Sequence, residues 1–168
     1  MSNELVINST QNGCRIALLN DRRLIEFHQE DGGIQFNVGD IYLGTVRKVV
    51  QGLNAGFIDI GYEKDAFLHY LDLGPQVQSL NKFTKLIQSK KEISTKLIGF
   101  RNETDIDKFG KIGQVLTKNQ NVLVQVVKEP ISTKGPRLSC ELSIAGRYLV
   151  LVPFSNAVNV SKKIGNSN

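Results

Sequence analysis

With 168 residues, 40% of them hydrophobic, and only four prolines beside fifteen glycines, the chain can build a real core, which excludes a disordered tail and a collagen-like or linker-like chain. No apolar run approaches the roughly 18 residues of a membrane span, and residues 1–10 lack the basic start and apolar stretch of a signal peptide, so a soluble, cytoplasmic protein without a membrane partner is expected. The net charge of +5 is uneven: residues 1–80 carry six Lys/Arg against ten Asp/Glu, residues 81–118 nine against four, and residues 119–168 six against two.

That asymmetry suits a polyanion-binding face built from late segments, or a lysine-rich surface that only keeps a β domain soluble. Short β-type runs dominate. Residues 4–8 (ELVIN), 15–19 (RIALL) and 24–28 (LIEFH) are apolar or alternating. The turn-forming stretches 9–13 (STQNG) and Asn20-Asp21 separate them, which predicts an antiparallel meander. After Asp31-Gly32-Gly33 and Val38-Gly39-Asp40, strands are predicted over 41–50, 56–60 and 66–70. Residues 71–118 are polar and lysine-rich, with an amphipathic helix predicted over 84–97 that turns Leu86, Ile87, Ile93 and Leu97 inward. Strands resume over 121–128 and 137–144, joined by the loop 129–136 (EPISTKGP). The apolar run 147–153 ends at Pro153, and 155–168 is polar with Lys162-Lys163.

Three strands, a long connection and two strands give the order of a mainly β, five-stranded OB-type barrel over residues 39–144, with a long basic insertion over 71–118. Residues 1–38 and 145–168 are left over. Three short strands cannot bury two faces, and the run 147–152 has no evident partner. Both flanks are therefore expected to belong to domains completed by residues outside this sequence.

Side chains alternate along a strand, so Gly56, Ile58 and Ile60 share one face, as do Ala66 and Leu68 on the next strand. If those faces form the core, Phe57, Phe67 and His69 point outward. Outward aromatics there offer flat platforms on which unpaired bases stack; the plainer alternative is that the rings pack under the 71–118 insertion. Cys14 and Cys140 stand alone, with only His28 and His69 to complete a metal site, so neither a disulfide framework nor a zinc site is expected. Asp105 and Asp107 lie in a polar segment without supporting ligands, and Asp59 beside Phe57 reads as shaping the barrel surface. No catalytic set and no metal site is expected within the chain.

Gly44-Thr45-Val46, Gly56-Phe57-Ile58-Asp59-Ile60-Gly61 and Ala66-Phe67-Leu68-His69 resemble the S1 RNA-binding domain. Three flanking features narrow the resemblance to the N-terminal part of the ribonuclease E/G family. These are Leu5-Val6-Ile7-Asn8 with Arg15-Ile16-Ala17-Leu18, then Val124-Gln125-Val126-Val127-Lys128-Glu129 with Lys134-Gly135, and finally Ser143-Ile144-Ala145-Gly146-Arg147-Tyr148-Leu149-Val150-Leu151-Val152-Pro153. The similarity runs from about residue 4 to Ile164.

The resemblance implies single-strand-specific endoribonucleases that act in RNA decay and ribosomal RNA processing. It makes residues 1–38 the first strands of an RNase H-like subdomain, 39–144 the S1 domain and 145–168 the truncated beginning of a 5′-sensor region. The family's magnesium-holding aspartates have no counterparts here. The chain alone is thus expected to bind single-stranded RNA without cleaving it and without a cofactor of its own, while Mg²⁺ and homo-oligomerisation are left to the full-length parent. Phe57, Phe67 and Lys134 match the family's RNA-contacting positions, with His69, Lys128 and Arg137 as auxiliary contacts. Val150 matches a position lining the 5′-end pocket, whose phosphate-binding residues would fall beyond Asn168. No residue is carried over from 71–118, which is longer and more lysine-rich than the usual connection. Two alternatives stay open: an S1 protein of translation or transcription with no nuclease behind it, and a β module whose outward phenylalanines dock onto proteins.

Overall fold

The computed structural model describes residues 2–31, 36–89, 97–146 and 148–160, in two units, Met1–Gln35 and Phe36–Asn168. In the first, β1 (Asn3–Thr10), β2 (Gly13–Asn20) and β3 (Arg23–Asp31) form an antiparallel sheet in that order. Each strand outruns its apolar stretch because the polar ends also pair: Asn20 Nδ2 donates to Asn3 Oδ1 at 2.7 Å. At the β2–β3 turn Asp21 (φ 44°) and Arg22 (φ 65°) are both left-handed, the twist that a two-residue hairpin needs. Large apolar side chains stay exposed here, among them Leu5, Ile7, Ile25 and Phe27.

The second unit is built on a closed five-stranded barrel, as an OB-fold requires. Its strands are β4 (Ile41–Val50), β5 (Ala55–Asp59), β6 (Ala66–His69), β7 (Asn121–Lys128) and β8 (Arg137–Ser139), in the closed order β4-β5-β6-β8-β7. All neighbours are antiparallel except β6 and β8. The inward residues follow the period-2 pattern: Ile58, Ala66, Leu68, Val122, Val124 and Leu138 are fully buried. Gly44 is dictated by this packing. A Cβ there would lie 2.6 Å from Ile58 Cγ2, where no real methyl sits. Cys140 is buried too. Burial, and secondarily the charge of Asp72, pushes its thiol up to about 12.

The connection departs from its sequence pattern. Its helix, α1, spans Val77–Gln88 and not 84–97. Val77 and Leu80 reach the core, accompanied by buried Ser79, Asn81 and Thr84, while Ile87 and Leu97 are exposed and Leu86 is only half-buried. The helix starts just after Gly74-Pro75, where proline's fixed φ suits entry into a helix, and its inward face is partly polar, which hides it from a hydrophobic-period reading. Thr84 Oγ1 donates to Leu80 O at 2.8 Å and so enters the core satisfied.

The last predicted strands also change. The run 137–144 is not one strand, since β8 ends at Ser139, whose hydroxyl donates to Asp72 O at 2.9 Å and accepts the Glu141 N–H at 3.0 Å. Ile144–Ala145 (β9) instead pairs antiparallel with Val150–Leu151 (β10), which gives the apolar run 147–153 its partner. Beyond it Phe154 packs on Phe83 and Phe100, with ring centroids 5.6 and 5.4 Å away. No helix among the described residues is long and apolar enough to cross a membrane. The Gly32-Gly33 turn, Ile93, Arg147 and Lys162-Lys163 lie outside the described residues.

Candidate nucleic-acid interface

β5 and β6 lie side by side with Phe57 opposite Phe67, and the alternation that buries Ile58 and Leu68 turns both rings to the outer face. Their centroids are 5.9 Å apart at an interplanar angle of 73°, an edge-to-face pair that leaves each ring half-buried. His69 continues the row, 6.4 Å from Phe67 and inclined by 28°. Its Nδ1 accepts the Leu71 N–H at 3.1 Å, so the neutral ring carries its proton on Nε2.

The rings floor a groove of about 640 Å³ whose other lining residues are Lys64, Asp65, Thr133, Lys134, Gly135 and Arg137. Its second wall is the β7–β8 loop. That loop folds back on itself through reciprocal bonds, Ile131 N–H to Lys134 O at 3.2 Å and Lys134 N–H to Ile131 O at 2.9 Å, around a left-handed Ser132 (φ 48°). Lys64 Nζ donates to Ser132 O at 3.1 Å and ties the loop to the β5–β6 turn. Gly135 permits the contact, since a Cβ there would lie 2.3 Å from the Asp65 carbonyl oxygen.

Three cations therefore face the rings against one carboxylate. Arg137 is held by a bidentate pair with Asp72, at 3.0 and 3.1 Å, which fixes the guanidinium plane and reduces its net field. Lys64 lies 3.4 Å from Glu63. Lys134 is exposed and has no side-chain partner among the described residues. A flat apolar floor with positive charge at its rim is chemically suited to a stacked base together with its phosphate.

Of the residues singled out in the sequence, Phe57, Phe67, Lys134 and Arg137 thus share one groove, and His69 adjoins it through Phe67. Lys128, exposed at the end of β7 and in register with Arg137, is not among the lining residues. Val150 is exposed in the β9–β10 ribbon and is not among those lining residues. Sequence reasoning missed Lys64, Asp65, Thr133 and Gly135. The adjacency of Lys64-Asp65 to Ala66-Phe67 was the available signal for the first pair.

Asp59, on the same strand as Phe57, holds the neighbouring surface together. Its carboxylate accepts the Gly61 N–H at 2.9 Å and the Arg47 guanidinium. The Gly61 bond, and then the Arg47 bond, hold its carboxyl below the usual carboxylate range. A lowered folded-state value stabilises the fold above the ordinary carboxyl value and is lost as pH falls through the lowered one. Asp59→Asn is accordingly expected to be less stable than the wild type at neutral pH, with the gap closing on acidification below the ordinary value. Denaturant unfolding at a series of pH values checks this, and a gap independent of pH would refute it.

No family model matches the chain. Individual proteins do. It is 35% identical to ribonuclease G of Haemophilus influenzae over 161 residues, 96% of this chain and 29% of that protein. To ribonuclease G of Escherichia coli it is 33% identical over 164 residues, 98% of this chain and 30% of that protein. To ribonuclease E of Synechocystis it is 39% identical over 128 residues, 76% of this chain and 15% of that protein. The chain spans less than a third of the length of these relatives, and at 161 and 164 of its 168 residues the similarity to the two ribonuclease G proteins takes in the strands that carry the groove as well as most of both flanks. With identity of this order over nearly its whole length, the chain belongs to the ribonuclease E/G family.

Proposed function

We propose that the barrel is an S1-type domain that holds single-stranded RNA in the Phe57/Phe67 groove, on behalf of an endoribonuclease that acts in RNA decay and ribosomal RNA processing. The observation that carries this reading is the meeting of two outward phenylalanines, 5.9 Å apart, with Lys134 and Arg137 around a single groove. Bases stack on the rings and the ammonium meets a backbone phosphate, a combination that selects unpaired strands because duplex bases have no free faces. Names of the relatives support the nuclease part.

On this reading residues 1–38 begin an RNase H-like subdomain, and its exposed apolar side chains await the rest of it. Residues 145–168 begin a 5′-sensor region, with Val150 at the rim of its pocket. Catalysis and Mg²⁺ belong to the longer protein, as does any homo-oligomer, and the cytoplasm is its place of action. The chain itself binds and positions.

An electrophoretic or fluorescence titration tests the reading, using an unstructured RNA oligonucleotide and its duplex. The single strand is expected to bind more tightly, and equal affinity for the duplex would overturn the assignment. Lys134→Ala is expected to lower affinity for every single-stranded sequence alike and to reduce the salt slope by about 0.7, the counterion share of one phosphate on a single strand. An unchanged slope would remove Lys134 from the phosphate path.

A further inference from the structure

Two of the barrel strands each carry one residue too many, and both irregularities lie level with the rings. In β4, Val46 pairs with Ile58 and Lys48 with Phe57, so Arg47 is left between them as a bulge. In β7, Val126 pairs with Leu138 and Lys128 with Arg137, so Val127 is the surplus residue. Val46 and Val126 point into the core, 0% and 1% exposed, and strict alternation would send Lys48 and Lys128 after them. Each bulge cancels that alternation and turns a lysine to the outer face. Val49, the next residue of β4, packs on the core again. Bulges gather at barrel rims and beside functional sites, where they re-aim a side chain.

Partners in register share a face of the sheet. The pairings Lys48–Phe57, Phe57–Phe67, Phe67–Arg137 and Arg137–Lys128 therefore join five side chains into one row that crosses all five barrel strands. The stagger of the closed barrel keeps the two ends of the row apart: β7 is in register with residues 41–45 of β4 and not with Lys48. Neighbouring strands lie about 4.8 Å apart, so the row measures on the order of 19 Å along the sheet, and the smallest OB-type sites take about four nucleotides. Arg47 is engaged by Asp59, and Arg137 by Asp72. Lys48 is exposed and makes no hydrogen bond or ion pair among the described residues, so its ammonium is available beside Phe57.

We propose that Lys48 is a phosphate contact of the bound RNA, holding the backbone beyond the base stacked on Phe57, with Lys128 as the matching anchor at the Arg137 end. The strand then lies across the barrel strands, along the row that the two bulges frame. The proposal rests on the RNA-binding reading of the groove and adds to it Lys48 and the path of the strand.

The test is a titration of the 168-residue chain with an unstructured RNA over a series of salt concentrations. Lys48→Gln is expected to lower affinity about three- to tenfold and the salt slope by about 0.7, and the Lys48→Gln/Lys134→Ala pair to lower the slope by about 1.4, as two phosphate contacts are lost. Lys85→Gln removes an equal charge from α1, outside the row, and is expected to leave the slope unchanged. If Lys48→Gln binds with wild-type affinity and slope while Phe57→Ala does not, the proposal fails and the stacking face stands. An equal drop in slope for Lys85→Gln would assign the effect to net charge and overturn it. Unchanged binding in Phe57→Ala and Phe67→Ala as well would remove the reading beneath it. A spin label on either end of an RNA of about four nucleotides reports the path by nuclear magnetic resonance. One label is expected to broaden the amides around Lys48 and the other those around Lys128. Broadening at Lys64 and His69 instead would lay the strand along β6 and refute the proposed path.

Discussion

Phe57→Ala and Phe67→Ala should each weaken binding of a single-stranded RNA oligonucleotide about 5- to 150-fold, which corresponds to ~1–3 kcal/mol for a base stacked on one ring. Both rings are only half-buried and stand outside the core formed by Ile58 and Leu68, so the barrel should survive either truncation, as thermal unfolding will report. The rings lie 5.9 Å apart and present one continuous surface, so the double variant should lose less than the sum of the two single losses. Unchanged affinity in both single variants, with the fold intact, would sink the stacking face. A loss that merely follows a lowered melting temperature would assign the rings to packing under the neighbouring loop.

Gly135→Ala should act on the same groove from its other wall. The added methyl would sit 2.3 Å from the Asp65 carbonyl oxygen, 2.9 Å from its carbon and 3.0 Å from the Lys64 carbonyl oxygen. All three are backbone atoms that no side-chain rotation can clear. The β7–β8 loop must therefore withdraw from the β5–β6 turn, at ~1–3 kcal/mol of stability typical of overpacking. Withdrawal carries Lys134 away from the rings and breaks the bond of Lys64 to Ser132, so the loss of RNA affinity should at least equal that of Lys134→Ala. Calorimetry and an RNA titration on both variants decide it. A Gly135→Ala protein that melts and binds like the wild type would show that the loop is not held by this contact.

Much of this architecture was legible in the residues. Alternation in the runs 56–60 and 66–69 separates Ile58, Ala66 and Leu68 from Phe57, Phe67 and His69, because a strand has only two faces and the burial of one fixes the other. Helix α1 was misplaced because Ser79, Asn81 and Thr84 sit on its inward side, satisfied or sheltered by groups that no local pattern displays. The end of β8 at Ser139 likewise depends on Asp72, distant in sequence, and so does the pairing of Arg137. Lys134 was recognisable only through the family resemblance, while Gly135 beside it acquires its meaning from Asp65, a contact that only the closed barrel creates.

The joint that closes the barrel is its thinnest. β6 and β8 run parallel and share a single register match, Phe67 with Arg137, backed by the Phe67 N–H bond to Pro136 O at 2.8 Å. One partner of that match is the floor of the groove and the other is its rim. If the groove holds RNA as proposed, a strand laid across both would act as a clasp over the joint. Because only the closed barrel offers the two sides together, each bound strand would favour the closed barrel over any opened form. On the RNA-binding reading, the protein would then be sturdier where RNA is abundant and more easily opened where it is scarce.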